Sequence, residues 1–441
     1  MSYSHYINGS WTEVEGSAEK QVINPATGEV LQTIQYGGQV EAVKAIEAAH
    51  QAFEDWSQKP VYTRAGYLRD LADAIRKNSD ALGRTLTSEV GKTLPESIGE
   101  LNAAADQFEW YGEEVKRSAG DVIPNRLESR RHMTIRHPVG PVAAISPWNF
   151  PILLSSRKLA PALAAGCTVI NRPASQAPLT MIEIFKLVDQ IGFPSGVFNF
   201  IVGKPDEISN AFISDERIKK ISFTGSLEVG RMLAVECAKE MKKISLELGG
   251  HSPFIILPDV PVDEAADMAV FAKYRNMGQV CISASRFYIH QSKLQQFEEE
   301  VASRVNKLRI GNGLDASTDV GPLFERKRVD DSLRFVEDIQ AKGGKILCGG
   351  KQPEGETYQS GFFFEPTVAS GITDDMQIMN EEPFAPILPI ITFDTIEEVI
   401  QKANNTPYGL AAYVMTNNLR WSVTMAEKLE AGIIGINDCS P

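Results

Sequence analysis

The residues that decide the fold begin with the apolar run Val142-Ala143-Ala144-Ile145-Ser146 and extend to Phe223. Short apolar runs of strand length alternate here with longer amphipathic runs of helical length. The strand-like runs are Val142–Ser146, Thr168–Asn171, Val197–Val202 and Ile218–Phe223, and the helix-like runs are Ser156–Ala165 and Leu179–Ile191. This alternation is typical of a mainly parallel α/β sheet of the doubly wound kind.

A second alternating block runs from about Glu247 to Ala431 and predicts a second α/β domain. Its clearest runs are the strands Phe254–Leu257 and Arg286–His290 and the helices Val262–Met277 and Ser292–Val305.

The first quarter of the chain has helical periodicity, over Gln39–Phe53, Thr63–Lys77 and Ser79–Gly91. Asp121–His137 is polar, with alternating residues that predict paired strands outside the main body.

The composition limits the classes of function. A chain of 441 residues that is 43% hydrophobic has room for a large core and for two or three domains. Its net charge of −13 disfavours nucleic acid and anionic membrane surfaces as partners. We find no secretory signal in Met1–Thr12, and the apolar stretch Leu159–Ile170 is too short to span a bilayer. The expected location is the cytoplasm.

The five cysteines are widely spaced and form no Cys-x-x-Cys pair, and no histidine lies at metal-ligand spacing. We therefore expect reduced thiols and no metal site. The cysteines are Cys167, Cys237, Cys281, Cys348 and Cys439.

A nucleotide site has to be argued without the usual dinucleotide fingerprint, because no Gly-x-Gly-x-x-Gly follows a predicted strand. Ile221–Ser226 reads as a strand that ends in a turn of small residues and opens a helix at about Leu227. Free backbone N–H groups at such a helix start favour a phosphate. An ordinary turn with Ser226 as the N-cap is the alternative.

Four segments considered together indicate a family: Ile145–Pro151 (ISPWNFP), Phe223–Ser226 (FTGS), Leu246–Gly250 (LELGG) and Asn276–Cys281 (NMGQVC). With them the sequence resembles the aldehyde dehydrogenase superfamily. The resemblance covers nearly the whole chain, through Asn24–Gly28, Glu381–Pro386, Tyr408–Leu410 and Gly435–Asn437.

The resemblance implies a Rossmann-like cofactor domain and an α/β catalytic domain, with a small strand-paired excursion for oligomerisation. The expected bounds are 1–120 and 138–246 for the NAD(P)-binding domain, 121–137 for the oligomerisation strands and 247–431 for the catalytic domain. Residues 432–441 would be a truncated C-terminal segment, lacking a tunnel loop and the strand that crosses to a partner. A homodimer or homotetramer is expected for the family, and is in doubt without that strand.

Aldehyde oxidation requires a nucleophile, donors for the oxyanion, a hydride acceptor and a base for water. Cys281 follows Gly278-Gln279 in an expected loop, whereas Cys167, Cys237 and Cys348 lie in apolar or helical stretches. A free cysteine is more often an inert core residue. The resemblance favours Cys281 as the nucleophile.

The resemblance also implies that Asn149 donates to the oxyanion together with the backbone N–H of Cys281. The alternative is a turn asparagine before Pro151. Glu247, beside Gly249-Gly250, is implied as the semi-buried base that activates the deacylating water. Its alternative is a solvent-facing strand end.

The cofactor residues are carried over from the family. Glu382 matches the residue that holds the nicotinamide ribose, and Phe384 matches its packing neighbour. Gly225 and Ser226 match the pyrophosphate contact, and Trp148 lies on the cofactor side.

Arg172 occupies the usual place of a lysine that reaches the adenosine ribose, and Ser175 stands where strongly NAD-preferring members carry glutamate. A glutamate would bind the 2′-hydroxyl and repel a 2′-phosphate, whereas serine and arginine offer that phosphate a donor and a cation. NADP is therefore the expected cofactor, with NAD also accepted.

Arg157, and Arg275 six residues before Cys281, match the positions at which the succinate-semialdehyde dehydrogenase branch binds the substrate carboxylate. Two guanidinium groups suit a short acid-aldehyde, because each can hold a carboxylate through two hydrogen bonds. Phe150 is also assigned to the substrate. Either arginine could instead be a surface or ion-paired residue, and members acting on lactaldehyde-like substrates also carry an arginine near the first position.

Two departures from the family pattern stand near these residues. Ser283 replaces a second cysteine found in some semialdehyde enzymes, and Ala385 replaces a more usual glycine.

The competing interpretations are a lactaldehyde-like or general aliphatic enzyme, a catalytically silent homologue, and a cysteine hydrolase. The last normally pairs its thiol with a histidine, and none of the six histidines stands in an evident base motif.

Overall fold

The computed structural model describes residues 5–14 and 18–439. Their contacts divide them into two units. The first comprises the described residues of Met1–Ile23, Val30–Glu89 and Ser97–Glu247, and the second Asn24–Glu29, Val90–Glu96 and the described residues from Leu248 onward. Each unit contains a mainly parallel seven-stranded sheet with helices between its strands, which confirms the predicted α/β class.

The elements up to Glu247 include short strand pairs, a run of long helices and then alternating strands and helices. In chain order they are β1 (His5–Ile7), β2 (Ser10–Thr12), β3 (Ala18–Ile23), β4 (Val30–Tyr36), α1 (Gln39–Ser57), α2 (Val61–Lys77), α3 (Ser79–Val90), α4 (Leu94–Glu114), β5 (Val122–Ile123), β6 (His132–Met133), β7 (Val142–Ile145), α5 (Pro151–Ala165), β8 (Val169–Arg172), α6 (Leu179–Ile191), β9 (Phe198–Phe200), α7 (Pro205–Ser214), β10 (Lys220–Thr224), α8 (Leu227–Lys239) and β11 (Lys243–Glu247).

From Ser252 onward strands and helices alternate again. The elements are β12 (Ser252–Ile256), α9 (Val262–Tyr274), β13 (Ala284–His290), α10 (Leu294–Val305), α11 (Arg326–Ala341), β14 (Lys345–Cys348), β15 (Thr367–Ser370), α12 (Gln377–Asn380), β16 (Ile387–Phe393), α13 (Ile396–Asn404), β17 (Ala411–Met415), α14 (Leu419–Lys428) and β18 (Ile433–Ile436).

The sheet of the first unit has the order β11-β10-β7-β8-β9-β1-β2, and its strands from β11 to β9 are parallel. All residues of β7, β8 and β9 are buried, as expected for parallel strands covered on both faces. The chain leaves β7 toward β8 and later returns to β10 on its other side. In such sheets, ligands bind where the order reverses, beyond the carboxyl ends of the strands.

The sheet of the second unit has the order β14-β15-β16-β13-β12-β17-β18, and all its pairs except β14–β15 are parallel. Its central strands are also apolar and almost entirely buried. The loops that enter β12, β13, β16 and β17 therefore meet at one edge of this sheet, the edge of the amino ends.

Two short segments early in the chain pack into the second unit, although the sequence placed them in the first domain. The Phe362 N–H donates to the Pro25 carbonyl at 2.9 Å, and the Leu94 N–H donates to the Gly313 carbonyl at 2.9 Å. Backbone hydrogen bonds between distant segments leave no periodic signal in the sequence. The hydrophobic pattern therefore could not predict that these two segments belong to the second unit.

The predicted end of the helix before Cys281 was wrong. Helix α9 ends at Tyr274 rather than Met277, because Asn276, Met277 and Gly278 have φ angles of 46°, 54° and 73°. Such left-handed residues cannot continue a right-handed helix.

The polar excursion contains the expected strand pair, with Val122 opposite Met133 and Ile123 opposite His132. Both strands are exposed, and their role in oligomerisation stays a prediction. Among the described residues, no helix is both long and apolar enough to cross a membrane.

A buried carboxylate from a distant helix holds the start of α6. Glu89 accepts hydrogen bonds from the backbone N–H groups of Leu179 and Thr180 at 2.7 and 2.9 Å, and another from the Thr180 hydroxyl. These bonds satisfy donors that a helix start leaves without intrahelical partners. Burial raises the pKa of Glu89 to about 7, although these hydrogen bonds oppose the shift.

We expect Glu89→Ala to destabilise the protein by about 2–4 kcal/mol, because two buried N–H groups lose their acceptor. Urea unfolding followed by circular dichroism measures this loss. The raised pKa makes the stabilisation by Glu89 complete below its unfolded value of about 4.5 and progressively weaker as the pH rises through about 7. The cost of the substitution should thus be larger at pH 5 than at pH 8.

Glu183→Ala is the matched control, because Glu183 lies in α6, the helix whose start Glu89 holds, and pairs at the surface with Lys186. It should change stability by less than about 1 kcal/mol. Equal losses for the two variants would contradict a special role of Glu89.

Candidate active site

The predicted residues of the first unit gather along one edge of its sheet. Eight of them end or follow the parallel strands β7, β8, β10 and β11 on the carboxyl side: Trp148, Asn149, Phe150, Arg172, Ser175, Gly225, Ser226 and Glu247. This is the edge at which the order of the strands predicts a ligand crevice.

The turn between β10 and α8 starts its helix as the sequence predicted. The Ser226 side chain accepts a hydrogen bond from the Val229 N–H at 3.4 Å, so Ser226 is the N-cap. The Gly225 N–H donates to the Glu247 carbonyl at 3.1 Å, which ties the turn to the end of β11. The cap and a phosphate site are compatible, because a helix start presents several N–H groups.

Arg172 and Ser175 form a buried polar cluster with the carbonyl of Gly203. The Arg172 Nη2 donates to the Ser175 hydroxyl at 3.0 Å and to the Gly203 carbonyl at 3.1 Å, and the Ser175 hydroxyl donates to the same carbonyl at 3.0 Å. The Arg172 Nε is buried and has no hydrogen-bond partner among the described residues. Burial lowers the pKa of Arg172, opposed by Tyr36 and Asp206.

A buried cation with an unused N–H is suited to an anion. The residues present therefore fit a cofactor that carries a phosphate at this edge.

The loop after β7 is fixed by the start of α5. Asn149 is buried there, between the half-buried Trp148 and Phe150. The Oε1 of Glu100 accepts from the N–H groups of Ile152 and Leu153 at 2.9 and 3.2 Å, which holds the first turn of the helix.

Arg157 lies exposed further along α5.

Glu247 is the last residue of β11, and its side chain is exposed rather than semi-buried. The difference arises because β11 is the edge strand of its sheet, paired only with β10. The order in which the strands pair could not be inferred from the sequence.

Cys281 lies in the second unit, in the loop that enters β13, and is partly exposed. All five cysteines are free thiols. Burial raises the pKa of the other four, namely Cys167, Cys237, Cys348 and Cys439. A raised pKa reduces the thiolate fraction and thus the reactivity of a cysteine.

We call residues 275–281 the Cys281 loop. The Gln279 side chain is fully buried and spans the loop, donating to the Asn276 carbonyl at 3.0 Å and accepting from the Phe324 N–H at 3.0 Å. The Asn276 N–H donates to the Oε1 of Glu96 at 2.7 Å.

These roles of Glu96 and Gln279 were not predicted from the sequence. The pattern Thr93-x-x-Glu96 is a signal for a capping box, but it does not reveal a contact with a distant loop.

Two glycines of the LELGG segment allow a close approach between loops of the second unit. A Cβ atom at Gly250 would lie 2.5 Å from the Cys281 carbonyl oxygen, and one at Gly249 would lie 2.1 Å from the Oε2 of Glu382. The Gly250 N–H donates to the Oε1 of Glu382 at 3.2 Å. Any side chain at these two glycines would therefore push Cys281 or Glu382 away.

Glu382 and Phe384 precede β16 at the same edge. Burial raises the pKa of Glu382 to about 7, opposed by the Gly250 hydrogen bond and by Arg328. The Arg328 guanidinium lies 6.0 Å from the centre of the Phe384 ring. Ala385 is buried, and its carbonyl oxygen lies 2.5 Å from where a Cβ of Gly278 would be.

Arg275 begins the Cys281 loop and is half-buried. Its surroundings include Tyr413, whose hydroxyl donates to the Ile282 carbonyl at 2.6 Å. Burial raises the pKa of Tyr413, the charge of Arg275 opposes the shift and that of Cys281 adds to it. Arg275 also lines a small cavity with Val280 and Ile282, the two chain neighbours of Cys281.

Arg157 belongs to the first unit and Arg275 to the second, so their pairing stays a prediction. Within residues 5–14 and 18–439, no three histidine, cysteine, aspartate or glutamate side chains are grouped to hold a metal ion.

Comparison with known proteins identifies a family. Residues 11–441 match the model of the aldehyde dehydrogenase family. A glutarate-semialdehyde dehydrogenase of Pseudomonas putida is 41% identical over 98% of this chain and 89% of its own length. The NADP(+) succinate-semialdehyde dehydrogenase of Escherichia coli K12 is 40% identical, again over 98% of this chain and 89% of its own length.

Solved structures agree with the sequence comparison. The crystal structure of an aldehyde dehydrogenase from Brucella melitensis biovar abortus 2308 superposes with a TM-score of 0.97 at 42% identity. The match covers 100% of this chain and 90% of that one.

Proposed function

This chain belongs to the aldehyde dehydrogenase family and is an NAD(P)-dependent oxidoreductase, and from that premise we propose that it oxidises short aldehydes carrying a terminal carboxylate. Succinate semialdehyde, oxidised to succinate, is the first candidate. The observation that carries the proposal is the half-buried Arg275, which lines a small cavity together with Val280 and Ile282, the two chain neighbours of Cys281.

In the proposed reaction the Cys281 thiolate attacks the aldehyde carbon and forms a thiohemiacetal. The Asn149 side chain and the backbone N–H of Cys281 donate to the resulting oxyanion. NAD(P), held by the residues named below, would supply the hydride acceptor, and loss of the hydride from the thiohemiacetal leaves a thioester on the Cys281 sulfur. Glu247 then takes a proton from the water that hydrolyses the thioester, which releases the acid and restores the thiol.

An exposed Glu247 is compatible with this role, because a base for water needs access to solvent. Cys281 is the thiol that the family motif assigns as the nucleophile. It is partly exposed, and burial raises the pKa of each of the other four thiols.

We assign the cofactor contacts residue by residue from the family match. Arg172 and Ser175 would hold the 2′-phosphate, the Gly225-Ser226 turn would hold the pyrophosphate, and Trp148 would lie on the cofactor side. Glu382 would hold the nicotinamide ribose, with Phe384 packed beside it. The unused Nε of Arg172 supports NADP as the preferred cofactor, and the E. coli relative is named for the same one.

The names of the two relatives also support an acidic substrate, since glutarate and succinate semialdehydes both carry a carboxylate at the end opposite the aldehyde. A guanidinium binds such a group through two parallel hydrogen bonds. We propose that Arg157 and Arg275 hold this carboxylate and that Phe150 packs against the carbon chain.

We expect Arg275→Ala and Arg157→Ala each to raise the KM for succinate semialdehyde by roughly 30-fold or more, equivalent to about 2 kcal/mol of lost charge-assisted binding. The KM for butanal should change little, because a neutral aldehyde does not use the guanidinium. Steady-state assays of NADPH formation with both aldehydes test this.

Arg69→Ala, which removes an exposed arginine of α2, serves as the control and should leave both constants unchanged. If the arginine variants lost activity equally on both aldehydes, the arginines would be structural. A lactaldehyde-like or general aliphatic substrate would then be the better interpretation.

The cofactor proposal predicts that Ser175→Glu shifts preference from NADP toward NAD. A carboxylate at this position repels a 2′-phosphate and neutralises Arg172, while it offers an acceptor to a free 2′-hydroxyl. The ratio of kcat/KM for NADP to that for NAD should fall by roughly tenfold or more, or about 1.4 kcal/mol.

Ser303→Glu adds the same charge at an exposed position of α10 and should leave the ratio unchanged. An unchanged ratio in a folded Ser175→Glu protein would show that Ser175 does not face the adenosine ribose.

A further inference from the structure

The Cys281 loop has a backbone conformation that requires external support. Asn276 and Met277 have φ angles of 46° and 54°, in the left-handed region that residues other than glycine rarely adopt. Beneath the loop, the stem of Lys273 packs close to Gly278, but the Lys273 Nζ makes no hydrogen bond among the described residues. Lys273 therefore supports the loop by packing and not by a polar tether.

Glu96 makes a polar tether to this loop. Its Oε2 accepts from the N–H and the hydroxyl of Thr93 at 2.9 and 3.0 Å, which caps the start of α4. Its Oε1 accepts from the Asn276 N–H at 2.7 Å. One carboxylate thus starts a helix and binds the backbone at the first left-handed residue of the loop.

We propose that Glu96 is a positioning residue for Cys281, which it places by holding the loop in its left-handed conformation. The inference rests on the proposed function, in which Cys281 is the nucleophile. Glu96 touches neither substrate nor cofactor in this scheme and acts through Asn276.

The physical basis of this role is that the reaction requires the Cys281 sulfur to be placed accurately. The sulfur must approach the aldehyde carbon while the Cys281 N–H points at the developing oxyanion, and a misplacement of about 1 Å can cost roughly a hundredfold in rate. Without the Glu96 carboxylate, the Asn276 N–H loses a charge-assisted hydrogen bond. The Cys281 loop is then less firmly held in its left-handed conformation.

A purely structural role as a helix cap is the alternative, and the chain offers a matched control for it. Glu398 occupies the same position in α13 of the second unit, where its Oε2 accepts from the Asp394 N–H at 2.8 Å. It also forms an ion pair with Lys402, and within the described part of the chain none of its hydrogen bonds or ion pairs reaches the Cys281 loop.

The experiment compares Glu96→Ala, Glu96→Gln and Glu398→Ala with the unmodified enzyme. It measures kcat and KM for the aldehyde, the affinity for NADPH, and Tm. We expect Glu96→Ala to lower kcat by about tenfold or more, with KM and NADPH affinity within about twofold. Glu96→Gln keeps one acceptor oxygen, so its kcat should lie between that of Glu96→Ala and that of the unmodified enzyme. Glu398→Ala should lower Tm while kcat stays within about twofold.

Equal losses of kcat in Glu96→Ala and Glu398→Ala would overturn the proposal, as would a folded Glu96→Ala or Glu96→Gln enzyme with unchanged kcat. Cys281→Ser is measured alongside. If it retained the dehydrogenase activity, the proposed function itself would fail, whereas an inactive Cys281→Ser with fully active Glu96 variants would remove only the role of Glu96.

Discussion

The left-handed backbone at Asn276, Met277 and Gly278 is the constraint on which the position of Cys281 depends. Each non-glycine residue in this conformation costs about 1–2 kcal/mol, although asparagine tolerates it better than most. The turn stops α9 at Tyr274 and redirects the chain toward β13, so that Cys281 lies in a loop instead of on a helix. The hydrogen bond that the Asn276 N–H donates to Glu96, and the one that Gln279 donates to the Asn276 carbonyl, offset part of this cost.

The two units present their functional residues at opposite ends of parallel strands. In the first unit they follow the carboxyl ends, where helix starts offer N–H groups to anions. In the second unit Cys281 and Glu382 precede strands at the amino edge, and Gly249-Gly250 lets their loops come together. The first arrangement suits a phosphate-bearing cofactor, and the second brings the backbone of Cys281 and the half-buried Glu382 carboxylate to the same two glycines.

The sequence predicted much of this because its signals are local. Alternating apolar runs predicted both sheets, and the FTGS turn predicted the start of α8 at Leu227. The missed features depend on long-range contacts. The exposure of Glu247 follows from the edge position of β11. Residues 90–96 belong to the second unit because of backbone hydrogen bonds such as that from Leu94 to Gly313. The hydrogen bond between Glu96 and Asn276 joins residues that are far apart in the chain.

The central claim is that oxidation passes through an acyl group on Cys281, and trapping that group tests it most directly. Glu247→Gln should slow the hydrolysis of the thioester more than its formation. The variant is mixed with succinate semialdehyde and NADP, quenched in acid and analysed by peptide mass spectrometry. The account predicts a succinyl group on the peptide that contains Cys281, with NADPH formed in proportion. A burst of NADPH with Cys281 unmodified, or an acyl group on another cysteine, would contradict it.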